Sequence, residues 1–527
     1  MNIMKFATSG TFARKWMWLM ALLLLACAAA SAHPPVWSAV GSFGGSGDDG
    51  LGAAKTDALG NLYVTGFFSA TATFQNKVLI SYGDADMFLA KFGPRGRLLW
   101  IVQAGGVGLD EGTDLAFDAD GNVYVTGWFS DSATFHSANG ESKIVNGYVH
   151  ENVFLAKYSP GGQLVWLRTG GSLDFDTGNN RDWGVAVNPK TGTIYMTGFA
   201  EGTTNFSTTT GPVHPVTGTF GWHMYLVKYD TQGNFRWGVA NVDGGNTIAY
   251  KVAFDKYDAA YVVGWFEGGI TFASRDGKNQ TFGAFSQPGG PDYADDAFLA
   301  KYDCQGNLKW VNHAGGYKAI ANNLAVNDDG RITITGLVGN ISDGSASQAQ
   351  TIITSEPAGA TVSLGSGQLT NPYNWDILLA TYDCSGLLKR ATRIGGTSRD
   401  FGTGITYDRD GNLYVTGFFS GTVDFGGQTL NGSAPNNVFV VKYRHLDGKL
   451  AWARLAPGAG FPDSYQETGP RVWVEECLHP ADPQGHRKHI VVGGPYPGTA
   501  TFGSFQFNSA GADDIYVMKI NVDENVE

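Results

Sequence analysis

The residues best suited to chemistry in this chain are a scattered set of aspartates. Asp49, Asp110, Asp182 and Asp400 each open a short, mostly apolar run, and Asp48 and Glu111 stand beside two of them. Carboxylates gathered at one place can hold a divalent cation, calcium above all, or work as general acid and base. Kept apart, they only solvate turns. The longest polar connections carry aromatic residues, among them Trp222, Tyr293 and Trp375. Acids beside aromatic faces suit a carbohydrate, a cationic group or calcium. The segments DADGN (118–122) and DRDGN (408–412) open like a calcium loop but lack its third aspartate and its distant glutamate. The same residues make tight hairpin turns, and that is how they read here. The sequence contains no G-x-S-x-G, no H-E-x-x-H and no phosphate-cradling glycine loop.

A repeat sets the positions of these acids. A glycine stands eight residues before a phenylalanine in Gly66/Phe74, Gly127/Phe135, Gly198/Phe206, Gly264/Phe272, Gly417/Phe425 and Gly494/Phe502, and Gly336 keeps the place without the phenylalanine. Each copy predicts four strands. Strand a resembles TDLAFD (113–118), b resembles VYVTGWF, and c runs MFLAKF, VFLAKY, MYLVKY, AFLAKY, ILLATY, VFVVKY, IYVMKI. Strand d carries a tryptophan, usually before a glycine pair. Short β-branched and aromatic runs between Gly and Asp turns define an all-β chain, and no stretch keeps a helical period.

The two ends fix the arrangement. The tryptophans fall at Trp37, Trp100, Trp166, Trp237, Trp310 and Trp452, with Arg390 in one place, and the chain stops soon after Ile520 without a final strand d. That missing strand is supplied by VWSAVGSFGG (36–45). A ring uses both fragments and hides the edges that a linear stack leaves open. The expected fold is therefore a seven-bladed β-propeller of four-stranded blades, closed by the N-terminal strand, in one domain over 33–527. The pattern D-x-x-G-N-x-Y-V-T-G-x-F…F-L-A-K-Y-D-x-x-G-x-L-x-W resembles the bacterial seven-bladed β-propeller repeat family (SBBP) across 36–520. That resemblance implies the fold and an exported or surface protein, and implies no activity. The YDxxGxLxW segments are also similar to repeats of pyrroloquinoline-quinone dehydrogenases, but those have eight blades and often an adjacent Cys-Cys pair, and this chain has neither.

Residues 1–32 read as an export signal: Arg14 and Lys15, an apolar run from Trp16 to Ala26, then Ala30-Ser31-Ala32 as a cleavage site. LLAC (24–27) is an alternative, a lipobox that would leave Cys27 lipidated. Cys304, Cys384 and Cys477 remain as expected free thiols, because equivalent turns of neighbouring blades lie beyond disulfide reach. The net charge of −12 argues against nucleic acid or an anionic membrane surface, and no later stretch is apolar enough to span a bilayer. Strand a should line a channel. The connections entering it and the long b–c connections then share one face, rich in acids and aromatics. Two functional readings follow. The first is an exported, monomeric binding module, periplasmic, extracellular or outer-membrane associated, that takes a protein or carbohydrate partner on this face without a cofactor. The alternative is a channel-mouth hydrolase or lyase that uses Asp49, Asp110, Asp182 and Asp400, with or without calcium.

Overall fold

The computed structural model describes residues 36–521 apart from 173–179, 209–211, 286–294, 316–317, 340–351, 356–359, 365–374, 397, 433–435, 457–470, 478–486 and 503–504. Every element described is a β-strand, arranged in a propeller-like series of antiparallel sheets. No helix among the described residues is long and apolar enough to cross a membrane.

The second blade shows the unit. Asp110–Phe117 pairs with Val123–His136, that strand with Ser142–Tyr158, and that in turn with Leu164–Ser172. Its register explains the glycine column. The ladder between the first two strands slips by one residue between Gly112 and Asp114, a β-bulge that recurs at Leu51/Ala53, Asp182/Gly184, Ala249/Lys251, Ala321/Asn323 and Gly402/Gly404. A bulge turns a carbonyl out of the ladder. At Gly127 a Cβ would strike the Glu111 carbonyl and the Phe154 ring, and at Gly417 the Phe401 carbonyl and the Phe439 ring. Only glycine leaves that space. The threonine before it is fixed as well: Thr126 donates to the Phe154 carbonyl at 2.8 Å, as Thr65 does to Phe88.

Neighbouring blades are joined in three ways. Outer-strand tryptophans donate to a turn of the following blade, Trp100 to the Pro160 carbonyl at 3.0 Å, Trp166 to Thr231 at 3.2 Å and Trp237 to Cys304 at 3.1 Å. The lysines of the third strands reach the same turns, Lys91 to Pro160 and Lys228 to Cys304, each lying over a buried tyrosine ring. The third joint is made of backbone. Beyond the glycine column the second and third strands continue as a hairpin arm that pairs with the outer strand of the preceding blade. Phe135 and Thr134 pair with Ala104 and Gly105, Phe206 with Gly170, Phe272 with Asn241, and Ile353 with Ala314. Phe74, Phe135, Phe206, Phe272 and Phe425, which end five of the arms, are core: Phe135 packs on Phe129 and Phe154, and Phe425 on Phe419 and Phe439.

The opening strand Val36–Gly45 pairs antiparallel with Phe505–Asn521, Trp37 opposite Ile520 and Ser42 opposite Tyr516. Its glycine pair also takes the first arm, Gly44 opposite Thr73. The first-arm segment of the chain and its terminal strand are thus stitched to one element.

Candidate functional site

The aspartates lie where the outer strand of one blade crosses to the inner strand of the next, and they are buried. Asp110 is 2% exposed and accepts from the Gly106 amide at 2.7 Å and the Ser130 amide at 3.1 Å. Asp400 accepts likewise from Gly396 at 2.8 Å and Ser420 at 3.2 Å, and Asp49 from Gly45 at 2.8 Å. A second carboxyl stands across the glycine of each crossover. Asp514 faces Asp49 at Gly44, Asp86 faces Asp110 at Gly105, and Asp376 lies against Gly395 near Asp400. The first glycine of each pair is therefore required by the carboxyls, and the second by a backbone carbonyl of the arm, Thr71 at Gly45, Ser132 at Gly106 and Thr422 at Gly396. Burial, reinforced by the neighbouring acid, raises Asp49 to about 7 and Asp110 and Asp400 to about 8. These groups cap and clamp a crossover.

Asp182 differs. It stands opposite Gly198, in the place held by Gly112 beside Gly127, so the residue equivalent to Asp110 is Asn180. Asn180 is buried and accepts from Thr204 at 2.7 Å. Asp182 is fully buried, takes the Tyr225 hydroxyl at 2.8 Å, and is held well above the usual carboxylate range by burial. Tyr225 stands opposite the column glycine, where four other copies carry Phe88, Phe154, Phe298 and Phe439 and two carry Leu378 and Tyr516, so its hydroxyl and Asp182 complement each other. The four predicted aspartates thus belong to separate crossovers and inner strands, and none is a charged neighbour of another. The structure does not assemble the shared carboxylate cluster on which the hydrolase reading depends.

The predicted aromatics are dispersed too. Trp222 is 37% exposed and leans on Phe199 at 5.3 Å between ring centroids. Trp375 is half-buried, its indole covered by the Arg399 guanidinium at 4.6 Å. Tyr293 and Cys27 lie outside the described residues, as does most of the long connection before Trp375. The turn aspartates are occupied: Asp118 accepts from the Asp120 and Asn122 amides, from Tyr124 and from Lys157. Cys304 and Cys384 are free thiols.

Two surfaces that the residue pattern did not single out stand open. The first is the arm Lys77–Tyr82, where Val78, Ile80 and Tyr82 project on one face and are more than half exposed, with Ile144 on the next arm 69% exposed. The backbone of this stretch pairs with Thr71–Phe74 on one side, and on the other the Gln103 amide reaches the Ile80 carbonyl at 2.9 Å. The second is a cavity of about 650 Å³ lined by the later halves of the inner strands and the turns that follow them, including Asn188–Lys190, Asp255–Tyr257 and Asn327–Gly330. The earlier halves of the same strands are filled. Trp183, Ile248, Tyr250, Ile320 and Phe401 pack with Phe199, Trp265, Leu337 and Phe418 into one apolar cluster. The space between the inner strands is therefore plugged toward the arms and open toward the short turns. Small residues in strand a, interrupted by Lys55, Asp114 and Lys251, were the available signal.

Comparison with known proteins agrees with this architecture. The SBBP family model, a beta-propeller repeat, matches residues 99–128 and 390–417, so the chain carries beta-propeller repeats of this family at two places. An uncharacterized WD repeat-containing protein of Acanthamoeba polyphaga mimivirus is 24% identical over 471 residues, covering 76% of this chain and 32% of the relative. The chain thus spans about a third of that protein's length. Among solved structures, a Lactobacillus plantarum protein overlaps 86% of this chain and 98% of its own at 11% identity, with a TM-score of 0.37. A quinohemoprotein alcohol dehydrogenase from Pseudomonas putida HK5 overlaps 85% of this chain and 74% of its own at 12% identity, with a TM-score of 0.34. At those scores the superpositions carry no argument about function.

Proposed function

We propose that the protein is an exported, seven-bladed propeller that works as a binding module, engaging a protein partner through the arm-bearing face. The blade count is supported by the succession of inner strands. Asp49–Thr56 lies against Asp110–Phe117, followed by Arg181–Val187, Thr247–Phe254, Lys318–Val326, Asp400–Tyr407 and Arg471–Cys477, which lies against Asp49–Thr56 again. Export is supported by the leader-like run from Trp16 to Ala26 and the small residues that follow it. The observation that carries the binding reading is the apolar row Val78, Ile80 and Tyr82 on an arm whose outer edge, among the described residues, meets only the side chains of Gln103, at the Ile80 carbonyl, and Asp86, at the Tyr82 amide. An extended partner segment can add to such an edge through main-chain hydrogen bonds and seat its side chains on that row. A carbohydrate partner finds less support here, because Arg399 already covers Trp375.

The test compares the mature chain with an Ile80→Lys, Trp222→Ser variant in cross-linking and pull-down from the bacterial envelope, alongside a glycan array. Both residues are exposed, so the melting temperature should not move. The wild type is expected to retain a partner that the variant loses. Equal capture by both, or retention of glycans alone, would overturn the proposal.

A further inference from the structure

We infer that the cavity between the inner strands binds a small monoanionic carboxylate, independently of whatever the arms engage. The argument starts from a departure within the repeat. Lys55 stands opposite Tyr63, and the equivalent places opposite Tyr124, Tyr195 and Tyr261 hold Ala116, Ala186 and Ala253. Asp114 stands opposite Thr126, where other copies place Ala53, Gly184 and Gly404. Lys251 occupies the same place in the fourth blade. The fold does without charge at these positions in most blades, so the three charged residues answer to something other than closure of a sheet.

They form one constellation at the cavity wall. Lys55 Nζ lies 3.1 Å from one carboxylate oxygen of Asp114 and Lys251 Nζ lies 2.8 Å from the other. Burial alone would raise the Asp114 carboxyl, yet Lys251 and Lys55 together hold it at about 2. Two ammonium groups therefore surround one permanent carboxylate, so this constellation carries one surplus positive charge at the inner wall, while the turns at the open rim add Lys190, Lys256, Asp255, Asp328 and Asp329. Lys55 keeps 31% of its side chain exposed toward that space. The alanine row supplies methyl surface for an uncharged body, and the volume falls within the range of small-molecule sites. The aromatic plug closes the far end, so the ligand enters and leaves past the short turns. The one surplus charge of the constellation matches one carboxylate, and the second charge of a dianion would face the rim carboxylates Asp255, Asp328 and Asp329.

The experiment is calorimetric titration of the full chain with glucuronate, glucose, benzoate and sulfate, repeated on Lys55→Ala and Asp114→Asn. Alanine already fills the equivalent place in other blades, so Lys55→Ala should fold, and an unchanged melting temperature checks this. A carboxylate, glucuronate or benzoate, is expected to saturate one site while glucose does not. Lys55→Ala should weaken it by about tenfold or more, the worth of a charge-assisted hydrogen bond. Asp114→Asn, with two positive charges, should shift preference toward sulfate. Binding of glucose as tight as glucuronate, unchanged affinity in Lys55→Ala, or no binding of either carboxylate would overturn the inference.

Discussion

Asp110 and Asp114 stand four residues apart on one strand and respond to acid in opposite senses. Asp110 has no cation beside it, and burial with Asp86 nearby raises its carboxyl to about 8. Its protonated form is the one the fold favours. The stabilisation from that proton is complete below the unfolded value near 4 and is lost as pH rises through about 8. Asp49 and Asp400 follow the same sign. Asp114, held at about 2 between two lysines, contributes stability above pH 4 that disappears as pH falls toward 2. Resistance to denaturant should accordingly decline between about pH 5 and pH 8. Asp110→Asn should flatten part of that decline, because the amide has no proton to lose, although it forgoes one of two hydrogen bonds, since Gly106 and Ser130 donate to different carboxyl oxygens. A variant whose denaturation midpoint keeps the full wild-type slope with pH would contradict the assignment. The aspartates themselves were visible in the sequence, but their burial was not. It depends on carboxyls such as Asp86 and Asp514 that arrive from another strand across a glycine, and Asp182 stands two residues further along its strand than Asp110, in the place of Gly112.

At the level of the element, the hairpin arm explains why a phenylalanine follows six of the seven column glycines at fixed distance. The strand must run past its own sheet to reach the outer strand of the preceding blade, and the ring at its end seals the contact. Phe135 is 1% exposed and packs on Phe129 and Phe154. Phe135→Ala should cost about 3–5 kcal/mol, read as a lowered denaturation midpoint, whereas Ile144→Ala on the same arm should cost little because that side chain is exposed. Similar losses from both would mean that the arm is not a joint. The repeat made the strands, the tryptophan column and the phenylalanine column legible, since each is a local pattern that recurs. The arm pairing was not legible and read as a loop insertion, because its partner strand lies in a different copy.

Across the whole molecule, the opening strand completes the sheet that the terminal strand leaves unfinished. Removal of residues 36–45 would uncover the outer edge of Phe505–Asn521 and the carbonyls that receive the first arm. The truncated chain should lose more than about 5 kcal/mol of stability or self-associate through the bared edge. Size-exclusion chromatography and thermal melting distinguish these outcomes, and a monomer that melts like the full chain would exclude a structural role for the strand. The cavity also belongs to this scale and was hidden for that reason. It is a property of alanines drawn from strands far apart in sequence, and no single segment announces it.

The pairing of Val36–Gly45 with Phe505–Asn521 also orders events in time. The first of the described strands has to wait for the last of them before most of its hydrogen bonds can form. Until that strand is made, the ladder positions from Val36 to Phe43 stay unmatched, so completion of this sheet is a late, long-range step in folding.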